Sequence, residues 1–284
     1  MPLLALLLLV QTPDAGVAAR IAAAPARAVG VYFRDLTTGD SLLVGAHIRF
    51  HAASTMKVPV MIQLFRDRDA HRLSLDDSIP VTNTFRSIVD SSTYELDKAD
   101  DSDSTLYARV GGKASIRELV ELMETVSSNL ATNILIGRVE APRANATAHQ
   151  LGADSIVVLR GVEDGKAYRA GRNNTTTARD LGVLMAAIAQ NRAASPAACH
   201  EMLEILGRQH FKEGIPAGLP PGTQVYHKTG WIGKVVYHDA AIVELPGGRR
   251  YVLVVLTGGI EKDEDSYKVV SDISRMVYEG VTRR

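Results

Sequence analysis

Strand-forming segments lie at the two ends of this chain and helical periodicity fills its middle, and this distribution constrains the fold most. Val29–Phe33 and Ser41–Val44 flank the turn cluster Asp35–Asp40, the pattern of a β-hairpin. Near the other end, Gln224–Lys228, Val235–Val243 and Arg250–Thr257 are rich in β-branched residues, and Pro246-Gly247-Gly248 separates the last two. In between, Ile116–Val126 sets Leu119, Leu122, Met123 and Val126 on one helical face. Ser54–Phe65 reads as a helix in which Pro59 is awkward unless it lies near the first turn or bends the helix, and Leu130–Val139 reads as another. Thr177 caps a helix carrying Leu181, Leu184, Met185 and Ile188, and Pro196–Arg208 opens on proline. Asp263–Gly280 closes the chain as an amphipathic helix. The economical solution is α/β in the broad sense (α+β): one antiparallel sheet from both chain ends, flanked by helices, with an all-helical insertion.

Composition narrows the function classes. Lys+Arg and Asp+Glu are 32 each among 284 residues, so the net basic surface of a nucleic-acid binder is missing. The single cysteine, Cys199, excludes an internal disulfide and any multi-cysteine metal site. Leu3–Val10 is an apolar run followed by small residues around Gly16–Ala19, the pattern of a secretory leader, although no basic residue precedes it. We expect a signal peptide over 1–24, one domain over 25–284, an exported (periplasmic or secreted) product without stable membrane insertion, and a monomer.

Three short motifs carry chemistry. In Ser54-Thr55-Met56-Lys57 the hydroxyl and the amine share a helical face. A serine is a weak nucleophile until a base takes its proton, and a lysine serves if burial or nearby positive charge lowers its pKa. In Ser127-Ser128-Asn129 a second hydroxyl offers a proton relay, and the amide offers a donor and an acceptor. In Lys228-Thr229-Gly230, ending a strand, an ammonium and a hydroxyl suit a substrate carboxylate, and glycine admits a ligand close to the backbone. Each alone is weak: S-x-x-K arises by chance roughly once in a chain this long.

In this order the three motifs resemble those of the penicillin-recognising serine hydrolases (the D,D-peptidase/β-lactamase superfamily), and class A serine β-lactamases in particular. The resemblance runs from about Val29 to the final helix. It implies a β-lactamase/transpeptidase-like fold, with an α/β half over about 25–50 and 205–284 and an all-α half over about 51–204. It implies a serine hydrolase that opens β-lactam rings through an acyl-enzyme on Ser54, a route to antibiotic resistance, with no cofactor. The substrate is a small β-lactam or a D-alanyl peptide. Lys57 is the implied base, Ser127 the proton donor to the leaving nitrogen, and Asn129 the partner of the substrate amide. Lys228, Thr229 and Gly230 bind the carboxylate, and the backbone N–H groups of Ser54 and Trp231 form the oxyanion hole. Glu163, 34 residues beyond Asn129, matches the loop glutamate that activates the deacylating water.

Departures from the family accompany these matches. Ser128 stands where aspartate is usual, and Gly165-Lys166-Ala167 replaces the Leu-Asn expected after the glutamate. Arg160 lacks an aspartate near Asn174, so we expect a looser loop, and deacylation is in question. Three other readings stay open: a D,D-peptidase, an esterase, and a penicillin-binding sensor or degenerate binding module that is acylated without turnover. Among other residues, His47 and His51 lack the glutamate of a zinc motif, and His238-Asp239 is a weaker base than Lys57 for Ser54. Cys199 reads as a buried small residue and Arg249-Arg250 as solvated. Tyr107 reads as flanking the cleft by resemblance, and Asp97–Ser104 as a solvated loop.

Overall fold

The computed structural model describes residues 13–283. Five strands form one antiparallel sheet: β1 (Ala28–Asp35), β2 (Ser41–Val44), β3 (Gln224–Ile232), β4 (Val236–Glu244) and β5 (Arg250–Gly258). Their order is β2-β1-β5-β4-β3, so the N-terminal hairpin is joined to the C-terminal meander through β1 and β5. The register sets Val31 opposite Val255 and Lys228 opposite Ala240.

Both faces of the sheet are covered, which is why β5 reads as a nearly unbroken apolar run. Along it Val252, Val254 and Leu256 enter one core, while Tyr251, Leu253 and Val255 enter the other. The second core is closed by α9 (Asp263–Thr282) and α1 (Pro13–Ala22). The first belongs to the helical half: α2 (Lys57–Asp69), α3 (Ile116–Thr125), α4 (Asn129–Val139), α5 (Ala141–Gln150), the single turn α6 (Gly165–Arg169), α7 (Ala178–Ala189) and α8 (Pro196–Gly207).

Helix α2 runs through the middle of that half. Every residue from Lys57 to Phe65 is buried, so the helix is covered on all sides and shows no single apolar stripe. Pro59 lies in the first turn, where its missing N–H breaks no helical bond. Helix α7 packs on the sheet at Gly182, where a Cβ would fall 2.2 Å from the Tyr32 ring.

Two expectations change here. Residues 13–22, placed within a leader ending near 24, form a helix on the body of the protein: Val17 is buried against α9 and Arg20 donates to Asp272 at 2.9 Å. The apolar run Leu3–Val10 lies outside the described residues. Asp97–Ser104 is not merely solvated, because Asp103 is buried and Asp101 turns inward to the start of α4. No helix among the described residues is long and apolar enough to cross a membrane.

Candidate active site

Ser54 lies on a single 3-10 turn, Ala53–Met56, that leads directly into α2. Side chains three apart nearly eclipse in such a turn, which sets Ser54 in line with Lys57. The turn is entered through Ala53 at φ 45°, a left-handed conformation costly for a residue with a Cβ. His51 helps to hold it, since its Nδ1 accepts from Ala53 N at 3.0 Å. Gly230 of β3 lies beside the turn: a Cβ there would stand 3.1 Å from Thr55 N and 3.2 Å from Ala53 Cβ. The close approach needs glycine.

Lys57 and Lys228 are both completely buried and meet at one hydroxyl. Lys57 Nζ donates to Ser127 O at 2.7 Å, lies 3.0 Å from Ser127 Oγ and reaches Asn129 Oδ1 at 3.2 Å. Lys228 Nζ is 3.0 Å from the same Oγ and from Thr229 O. Burial pushes the Lys57 amine well below its ordinary range, and the Lys228 charge pushes it further. Lys228 is lowered by burial too, with Glu124 and Asp239 opposing the shift. Ser127 occupies the short link between α3 and α4 at φ 61°. Strain at a residue touching both amines fits a functional site.

Asn129 bridges the two sides of the cleft. Its Oδ1 faces Lys57, and its Nδ2 donates to Glu163 Oε1 at 2.6 Å. Each end keeps capacity for one more bond. Glu163, itself at φ 60°, has its carboxyl pKa raised by desolvation, opposed by the bond from Asn129. Ser54, Ser127, Asn129, Glu163, Thr229 and Trp231 line one cavity of about 500 Å³. A second lobe of about 310 Å³ shares Ser54, Asn129, Glu163 and Trp231 and extends to Arg160, Tyr168 and Asn174. Ser54, Asn129, Glu163 and Trp231 therefore line both lobes of one cleft, with Ser127 and Thr229 in the larger.

Several details differ from the sequence reading. Lys228-Thr229-Gly230 does not end its strand; β3 continues through Ile232 along the sheet edge. The Arg160 loop is held without the missing aspartate. Arg160 donates to Arg172 O, Gly161 O and Asn173 Oδ1, while Asn174 Oδ1 accepts from the backbones of Leu159 and Arg160. Ser128, in the position usually taken by aspartate, caps α4 by accepting from Ala131 N. Asp101 adds a carboxylate from another segment, accepting from Asn129 N and Leu130 N. The Tyr107 hydroxyl donates to Asp101 Oδ2 at 3.0 Å. Asp239 pairs with His227 at 3.0 Å and accepts from Ile215 N, while His238 Nε2 lies 2.9 Å from His51 O, so neither is directed at Ser54. Arg249 and Arg250 are engaged with Asp35 and Glu244. Cys199 is buried, with its thiol toward Ala194 O.

The chain has relatives among known proteins. The sequence pattern of the beta-lactamase enzyme family matches residues 14–281. A beta-lactamase of Bacteroides uniformis is 27% identical over 257 residues, covering 86% of this chain and 83% of its own. The solved structure of PBP-A is 30% identical with a TM-score of 0.82, covering 96% of each chain, and a single-residue variant of PBP-A forms an acyl-enzyme complex with penicillin G. A beta-lactamase from Sphaerobacter thermophilus superposes with a TM-score of 0.80 at 27% identity, covering 95% of this chain and 98% of that one. With the family pattern matched over nearly the whole described chain and the fold shared with these solved structures, this chain belongs to the beta-lactamase enzyme family.

Proposed function

We propose that the protein is an exported serine β-lactamase that hydrolyses β-lactam amides through an acyl-enzyme on Ser54. The observation that carries this reading is Ser127 Oγ, 3.0 Å from each of two buried lysine amines beside a cavity that Ser54 and Glu163 both line.

Lys228 and Thr229 bind the carboxylate of the substrate. Ser54 Oγ attacks the lactam carbonyl as its proton passes to Lys57, whose pKa burial and the Lys228 charge lower, or through water to Glu163. The N–H groups of Ser54 and Trp231 receive the developing oxyanion, each contributing about 3 kcal/mol to the transition state. Ser127 hands a proton to the departing nitrogen, and its two lysine contacts supply the relay. Asn129 uses its remaining donor and acceptor for the substrate amide. Glu163 then directs water onto the ester.

A second reading, acylation with slow release as in a D,D-peptidase or a sensor, is favoured by one feature. Ala167 is fully buried and has no side-chain donor for a water, and Lys166 points away to Asp90 and Ser92. We place the end of any cleaved leader before α1, since α1 packs on α9.

Intact-protein mass recorded while a chromogenic cephalosporin changes colour separates the readings. Many turnovers with little adduct support the β-lactamase. One burst of colour with a persistent adduct supports the sensor or peptidase. Ser54→Ala should abolish both colour and adduct; lactam turnover surviving that change would rule out Ser54 as nucleophile.

A further inference from the structure

Glu124, in the last turn of α3, is completely buried, and neither carboxylate oxygen has a hydrogen-bond partner. Its backbone oxygen accepts from Gln209 Nε2 at 2.7 Å, and the neighbouring Thr125 O accepts from His210 N. An unpaired carboxylate in such a place is costly unless opposite charge lies near. That charge comes from Lys57 on α2 and Lys228 on β3, both buried and both acting on Glu124. Three residues along the chain, Ser127 Oγ touches both amines.

Two ammonium groups on one hydroxyl repel strongly at low dielectric. The other carboxylates facing them are committed elsewhere. Asp101 and Glu163 act on Lys57, but Asp101 accepts from Asn129 N and Leu130 N, and Glu163 from Asn129 Nδ2. Asp239 acts on Lys228 but holds Ile215 N and His227. Glu124 has no such commitment.

We propose that Glu124 is a positioning residue for the reaction: a buried counter-ion that sets the proton count of the Lys57–Ser127–Lys228 chain. It keeps Lys228 charged for the substrate carboxylate and strengthens Lys57 as the acceptor of the Ser54 proton. The inference rests on the acylation reading above. During acylation the Ser54 proton moves to Lys57 as the Oγ–carbonyl bond forms. A proton then leaves through Ser127 to the lactam nitrogen as the C–N bond breaks. Glu124 itself neither gives nor takes a proton in these steps. Burial raises its carboxyl pKa to about 7 against the opposing pull of the two lysines, so its charge is present above that pH, and the lysines are held charged more easily by it.

The test begins without any substrate. Full-length protein carrying 13Cε-lysine is titrated by NMR, with the Lys57 and Lys228 signals assigned from Lys57→Met and Lys228→Met. Glu124→Gln keeps the shape and removes the charge, so both lysine midpoints should fall by about one pH unit. Glu124→Asp, which retains the charge, should return them toward wild type. The pH profile of Ser54 acylation by a chromogenic cephalosporin should move to acid in Glu124→Gln, making acylation about tenfold slower on the alkaline limb. Unmoved midpoints, or an equal loss of rate at every pH, overturn the proposal. Should Glu124→Gln fail to fold, the 13Cδ signal of wild-type Glu124 decides: an ionised carboxylate where Lys228 is charged is expected, and a protonated one overturns it. Absence of both colour change and adduct in wild type would sink the acylation reading, while the lysine midpoints would still judge the counter-ion.

Discussion

Three of the eight non-glycine residues with left-handed backbone among the described residues, Ala53, Ser127 and Glu163, belong to the cleft. Such conformations cost of order 1 kcal/mol or more each and persist where the surroundings hold them. Here they point the Ser54 turn, the Ser127 hydroxyl and the Glu163 carboxylate into one space. The division of labour between them is testable. Glu163→Gln should still be acylated but should lose turnover by about 100-fold or more, the scale of a missing general base; mass spectrometry would then show one acyl group per chain, and undiminished turnover would remove Glu163 from deacylation. His51 bears on the same turn. Its pKa lies near 4 because of burial and the Arg160 charge, and its Nδ1 must stay unprotonated to accept from Ala53. Between pH 6.5 and 4 the unfolded chain binds more protons than the folded one, so stability should fall with pH over that window and level off below it. Denaturant unfolding at several pH values should show a shallower fall for His51→Gln, which retains an acceptor and does not titrate; parallel curves would contradict the assignment.

Helix α4 begins where the relay ends, and its first turn is satisfied from two directions. Ser128 accepts from Ala131 N, and Asp101 accepts from Asn129 N and Leu130 N. A carboxylate at a helix N-terminus also meets the positive end of the macrodipole. Asp101→Ala should therefore cost about 1–2 kcal/mol, read as a lower denaturant midpoint. It should also loosen Asn129, and with it the bridge to Glu163. An unchanged midpoint would show that Ser128 suffices. This partnership was not legible in advance: Ser128 was visible as a departure, but its compensation comes from Asp101, 28 positions before Asn129. The Arg160 loop teaches the same point, because backbone oxygens and Asn173 replace the absent aspartate.

At the scale of the molecule, α1 and α9 seal the outer face of the sheet, and both ends of the described chain meet there. Burial of Val17 alone is worth about 2 kcal/mol, more than the exposed part of an Arg–Asp pair such as Arg20 with Asp272. A chain beginning at Pro13 should keep the stability of the full-length protein, whereas one beginning at Pro25 should lose about 2 kcal/mol or more, by denaturant unfolding. Equal stability would restore the boundary near residue 24.

What the sequence by itself determined was the family and the layout. Local spacing put Ser54 in line with Lys57, period-2 and period-3.6 patterns separated sheet from helix, and strand-rich ends implied a sheet closed by both. These depend on neighbours along the chain, so they are readable there. The continuity of β3 past Gly230, the place of α1 and the inward turn of Asp101 were not, because each is fixed by a surface that forms only after folding. The same holds for Glu124. In sequence it is one more glutamate at the end of an amphipathic helix. Only the tertiary fold removes water from it and brings two buried ammonium groups within reach, and at low dielectric that juxtaposition decides which groups are charged.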